Sequence, residues 1–90
     1  MAKRYRKKPV VIEAFQLNVD EIPAWFAKAV AIGKAKLTYG LSGITAEIET
    51  LEGWHHAHYC DYIIKGVKGE IYPCKPDVFT MTYEEDTDVH

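Results

Sequence analysis

Cysteine is scarce. Two thiols in ninety residues, Cys60 and Cys74, are too few to staple a small scaffold, which excludes the disulfide-rich domains and makes a reducing cytoplasm the expectation. Long apolar runs are also missing. None approaches the roughly 20 residues of a membrane span, and VVIEAF, after the basic opening, is broken by Glu13 and has no small-residue cleavage site for a secretory signal. No membrane partner is expected. A phosphate-cradling loop is absent as well, because GVKGE at 66–70 has neither the spacing nor the following helix of a P-loop. No cofactor is implied. Neither sign of charge dominates: eleven basic and thirteen acidic side chains leave a formal net charge of −2.

What is present describes a small globular protein. Ninety residues hold one core, and 48% apolar with 27% charged residues is an ordinary composition for a folded chain. The charges are unevenly placed. Lys3, Arg4, Arg6, Lys7 and Lys8 crowd the first eight residues, and Glu84, Glu85, Asp86 and Asp88 crowd the last seven. Six cations against nine acids remain between them, a net of about −3. The expected organisation is a basic arm at 1–8, one α+β domain at 9–84 and an acidic tail at 85–90.

Hydrophobic periodicity sets the elements. Pro9 to Leu17 reads as a strand with Val10, Ile12 and Ala14 on one face and Val11, Phe15 and Leu17 on the other. Apolar residues on both faces predict a central, doubly covered strand. Asn18 to Ile32 reads as a helix, with Asn18 or Asp20 as cap and Pro23 in its first turn. Ile22, Trp25, Phe26, Ala29 and Val30 form its apolar stripe, and Gly33 its stop. Leu37 to Gly40 is a short strand. Ile44 to Leu51 alternates, with Ile44, Ala46 and Ile48 inward and Thr45, Glu47 and Glu49 outward, and Trp54 to Tyr59 returns beside it after a Glu52-Gly53 turn. Asp61–Val67 and Glu70–Cys74 make a hairpin around Lys68-Gly69. Asp77 to Tyr83 reads as a short helical turn capped by Asp77, or as a closing strand, since Val78, Phe79 and Tyr83 fit either. The predicted fold is α+β, with one main α-helix packed on a mostly antiparallel, roughly five-stranded sheet and room for a short C-terminal helix.

The densest stretch is 61–83, DYIIKGVKGEIYPCKPDVFTMTY. Together with the opening YRKKPVVIEAFQL, the helical PAWFAKAV and the TLEG turn, it resembles the small phage and prophage proteins that share a PGDYG-type signature. The likeness runs from Tyr5 to Glu84 and is weakest between Gly33 and Gly43. It implies a phage-derived cytoplasmic protein with no assigned biochemical role, and brings no catalytic or ligand residues with it. Tyr59-Cys60 stands where that family has Pro-Gly, so the turn before Asp61 is expected to differ in shape.

Four groups of residues are candidates for chemistry. His56, His58 and Cys60 share one face of a strand, and imidazole with thiolate is a zinc-binding set. A fourth ligand from Cys74 depends on the hairpin register, however, and the spacing matches no usual structural zinc pattern, so solvent-facing histidines are the stronger expectation. Nucleophilic use of Cys60 with His58 lacks an oxyanion donor and an orienting carboxylate. Lys3, Arg4, Arg6, Lys7 and Lys8, with Tyr5 for stacking, are a nucleic-acid candidate, against the simpler role of a solvated arm. Asp61, Tyr62, Lys65, Tyr72, Lys75 and Tyr83 are the candidate binding surface on the sheet, against a role in packing and edge protection. The expected function is a non-enzymatic module binding an unidentified protein. The alternatives are a nucleic-acid-associated protein using the arm, and a small metal- or thiol-dependent protein using His56, His58 and Cys60.

Overall fold

A computed structural model describes residues 2–6 and 8–86. Lys7 of the basic arm and residues 87–90 of the acidic tail, Asp88 among them, lie outside the described residues. In chain order the elements are β1 (Glu13–Gln16), α1 (Ala24–Ala31), β2 (Ala35–Gly40), β3 (Gly43–Thr50), β4 (Gly53–Ala57), β5 (Tyr62–Lys65), β6 (Ile71–Cys74) and α2 (Pro76–Thr82).

The strands do not join one five-stranded sheet. They form two antiparallel sheets of three, β1-β5-β6 (sheet A) and β2-β3-β4 (sheet B). The expectation of one main helix on a single, roughly five-stranded sheet is therefore wrong, and a second helix, α2, is present. The reason lies in β5. Ile63 and Ile64 are consecutive and both buried, so they point to opposite faces of one strand and both faces need cover. Such a strand belongs in the middle of a sheet. β5 takes that place by pairing with β6 on one side and with the distant β1 on the other.

β1 is consequently an edge strand, not the central one expected. Its pairing begins only at Glu13, opposite Lys65, and Val10 and Val11 ahead of it are exposed. The core lies where sheet A, sheet B and α1 meet. Phe15 and Leu17 from the β1 segment, Ile63 from β5, Ala46 and Ile48 from β3, Ala57 from β4, Ala35 from β2, and Phe26 and Ala29 from α1 fill it. Phe15 packs at 5.2 Å from Phe26 and edge-on at 5.7 Å from Trp25, geometries that aromatic quadrupoles favour.

The helix is shorter than its periodicity predicted. It starts at Ala24 behind Pro23, whose extended backbone (φ −72°, ψ 159°) makes it the N-cap without a side-chain cap. Ile22 falls outside the helix. Residues 17–19 form a turn instead, and neither Asn18 nor Asp20 caps. The end is as predicted: Gly33 sits at φ +82°, its N–H donates to the Val30 carbonyl, and the Lys34 N–H donates to that of Ala29. That pair of bonds is a Schellman stop. Of the two forms open to the last segment, the helical one is adopted, but the N-cap of α2 is Lys75 and Asp77 lies within its first turn.

Candidate functional site

The turn that ends β1 and the turn that leads into β5 meet at one end of the molecule. Asn18 joins the two sheets there. Its amide donates to the carbonyls of Ile44 (2.9 Å) and Tyr59, and its Oδ1 accepts the Ile44 N–H at 2.8 Å. Asn18 has the left-handed backbone, φ +67°, that an asparagine adopts more readily than most residues. The bond needs a glycine opposite. A Cβ on Gly43 would stand 2.7 Å from Asn18 Oδ1.

Asp61, a predicted binding residue, is 4% exposed. Its Oδ2 accepts the His58 N–H at 2.9 Å and a bond from Lys75 Nζ at 3.2 Å, and its backbone carbonyl accepts the Leu17 N–H at 3.0 Å. Gln16 Nε2 donates to the Cys60 carbonyl alongside. These bonds shape the 58–61 turn, where Tyr59-Cys60 stands. The carboxylate is committed to the fold.

The other members of the predicted surface are engaged in the same way. Tyr62 stacks on Phe79 of α2, with centroids 3.8 Å apart and planes within 5°. Lys65 pairs with Glu13 at 3.4 Å. Tyr72 and Tyr83 adjoin under α2, and the Tyr72 phenol is pushed up to about 12 by burial first and then by the Tyr83 hydroxyl. α2 lies over the face of sheet A that carries Tyr62 and Tyr72, while Asp61 and Lys75, one step out of phase, are paired with each other.

The predicted histidine and thiol set is separated. β4 ends at Ala57. On the outer face of sheet B, His56 Nδ1 is hydrogen-bonded to Glu47 Oε1, and the His56 and His58 rings lie edge to face at 4.5 Å. Cys60 is in the following turn with its carbonyl bound by Gln16. Among the described residues, no group of three or more His, Cys, Asp or Glu side chains is arranged to hold a metal ion. For Cys74, the 65–71 hairpin fixes the register on which a fourth ligand depended. Lys65 faces Ile71, Gly66 donates to Glu70, and Gly69 is left-handed at φ +84°, so Val67-Lys68-Gly69 is a three-residue loop and Cys74 faces Tyr62. Burial, and after it Asp61 and Asp77, push the Cys74 thiol up, which opposes thiolate formation.

Sequence reasoning missed the groove along β1. Val10, Ile12, Ala14 and Gln16, Trp25 of α1, and Phe79, Tyr83 and Glu84 from α2 and the segment after it line a cleft of about 1120 Å³. Trp25 reaches it from the layer of α1 and Phe79 from that of α2, so the cleft follows the strand edge between the two helices. The ladder shows what that edge offers. Leu17 donates across to Asp61, so Phe15 and Glu13, at two-residue steps, turn their amides to β5, while Gln16, Ala14 and Ile12 turn theirs away. The Gln16 groups are occupied: its N–H donates to Asp20 Oδ2 and its carbonyl accepts from Val19 and Asp20. Those of Ala14 and Ile12 have no ladder partner among the described residues. The early end of β1 and the acid-rich sequence after Thr82 were the available signals, but neither says which strand is at an edge.

A second cleft, of about 640 Å³, lies between the turns after β3 and β5, beside Leu51, His55 and Tyr72. Among the described residues, no helix is long and apolar enough to cross a membrane. No family model, curated protein or solved structure matches this chain.

Proposed function

We propose that this chain is a non-enzymatic protein-binding module that takes an extended segment of its partner along β1. Phage or prophage derivation and a cytoplasmic location belong to the same reading and rest on the sequence resemblance. The observation that supports it best is the groove itself. It combines an unpaired strand edge, which can add a strand by main-chain hydrogen bonds, with Trp25, Phe79 and Tyr83 beside it, the aromatic type that interface cores favour. The tyrosines and lysines of the first expected surface are engaged by α2 or by ion pairs, so the binding role moves to the neighbouring edge.

The alternative is nucleic-acid association through the arm, favoured by Tyr5, 90% exposed among cations. Capture from host lysate separates the two. The full chain, a chain lacking residues 1–8 and the Glu84→Gln/Glu85→Gln variant are compared with and without nuclease. A protein captured after nuclease and arm deletion, and less well by the Gln variant, is the expected result. Recovery that disappears with nuclease or with the arm overturns the protein-binding reading in favour of nucleic acid.

A further inference from the structure

We propose that the groove is filled, in the free protein, by the basic arm of a second copy, so that the chain self-associates by reciprocal exchange of arms. This rests on the groove being a surface for an extended peptide, and adds the occupant.

Charge comes first. Among the described residues the groove is lined by acids and by no lysine or arginine; Glu13 is paired with Lys65 and Asp20 holds the Gln16 N–H, so Glu84 and Glu85 are the acids it offers. The arm is the reverse: Lys3, Arg4, Arg6 and Lys8 are exposed. The ion pairs between described residues are His56–Glu47, Lys65–Glu13 and Lys75–Asp61, and none of them involves these four. Two complementary surfaces on one chain attract across molecules with a strength set by salt.

Shape agrees with charge. In an extended strand Arg4 and Arg6 point to one side and Tyr5 to the other. Laid on β1, such a strand offers cations to the acidic rim and the Tyr5 ring to the aromatic side chains, while its backbone meets the open groups of Ala14 and Ile12. Residues 2–8, at about 3.3 Å each, reach roughly 20 Å, which exceeds the four-residue length of β1.

Connectivity selects a second molecule. Residues 8–12 run without a turn into β1, so the arm continues away from the strand. Filling its own groove would require reversal at Lys8–Pro9–Val10. A second copy needs none, and a two-fold arrangement satisfies both grooves at once.

Sedimentation equilibrium of the full chain at about 50 mM and about 0.5 M salt is the test, since ionic screening lengthens or shortens the reach of exposed charges. The expected result is a dimer at low salt whose dissociation constant rises at least tenfold at high salt. Deletion of residues 1–8 and, separately, Glu84→Gln/Glu85→Gln should each leave a monomer. Residues 2–6, 8, 84 and 85 are exposed, so both variants keep the fold. A full chain that stays monomeric at low salt overturns the proposal, as does a dimer that survives either change. A labelled peptide of residues 1–12, titrated onto the arm-deleted protein, separates the two levels of inference. Peptide binding with a monomeric full chain sinks self-association alone. Absence of both sinks the peptide-binding reading with it.

Discussion

Sheets A and B are alike in strand number and antiparallel sense and opposite in how they meet water. Sheet B has one dry face, carrying Ala35, Ala46, Ile48 and Ala57, and one wet face, where Glu47 holds His56 and Lys36 lies 4.9 Å over the Trp54 ring. Sheet A is covered on both sides. Ile63 faces the shared core, whereas Tyr62, on the opposite face, is stacked under Phe79 of α2. A side chain of given chemistry therefore has different roles on the two sheets. Charged and ring-bearing residues on sheet B remain at the surface, while those on sheet A are drawn into packing and hydrogen bonds. What sheet A leaves for a partner is its β1 edge.

The largest effect that would break this contrast is at the centre of sheet A. Ile63→Ala should cost about 2–5 kcal/mol, measured by urea denaturation, because the residue is fully enclosed and its cavity cannot be relieved from a solvent side. A loss below about 1 kcal/mol would mean that β5 is not the doubly covered strand. Next is the buried carboxylate. Asp61→Ala should lose about 2–3 kcal/mol in the same assay, since the His58 N–H loses its acceptor and Lys75 its partner. If Asp61 were instead a solvated binding residue, its replacement would leave stability unchanged.

Tyr72 tests the cover that α2 provides. Its folded-state pKa is raised from the ordinary 10.0 to about 12, so folding favours the neutral phenol. That contribution is complete below pH 10 and is lost as the pH rises toward 12. The melting temperature of the parent chain should fall more steeply over this interval than that of Tyr72→Phe. Superimposable profiles would show that α2 does not shield the phenol. The smallest effect belongs to sheet B. His56→Ala should change stability by no more than about 0.5 kcal/mol near neutral pH, because its pairing with Glu47 is half exposed and screened. A cost as large as that of Asp61→Ala would remove the distinction between the sheets.

Much of sheet B was legible in advance. Ile44, Ala46 and Ile48 alternate strictly with Thr45, Glu47 and Glu49, and a period of two leaves one choice of inner face. The Gly33 stop was legible for the same reason, being local chemistry, whereas the pattern of Val78, Phe79 and Tyr83 fitted a helix or a strand and packing on Tyr62 decided it. The N-terminal half of the predicted long helix was not legible. Asn18 and Asp20 are cap residues by type, but the same side chains bond equally well to a turn. Here Asn18 bonds to Ile44 and Tyr59, 26 and 41 residues away, a use that no local pattern announces. The candidate surface was identified by residue type, and most of its members do cluster, but in the service of α2 and the 58–61 turn.

By itself, then, the sequence determined the quantities that depend on neighbours in the chain. These are the alternation of β3, the helical stripe of Trp25, Phe26 and Ala29, the glycine-marked turns, the two thiols, and the separation of a basic arm from an acid-rich end. Tertiary structure decided which strands pair. The apolar residues of the β1 segment fit a central strand as well as an edge, and it is the pairing of β5 with both β6 and the distant β1 that puts β5 in the middle. That choice divided the strands into two sheets, gave α2 a face to cover and left β1 with an open side. The groove exists because β1 pairs on one side only, with β5.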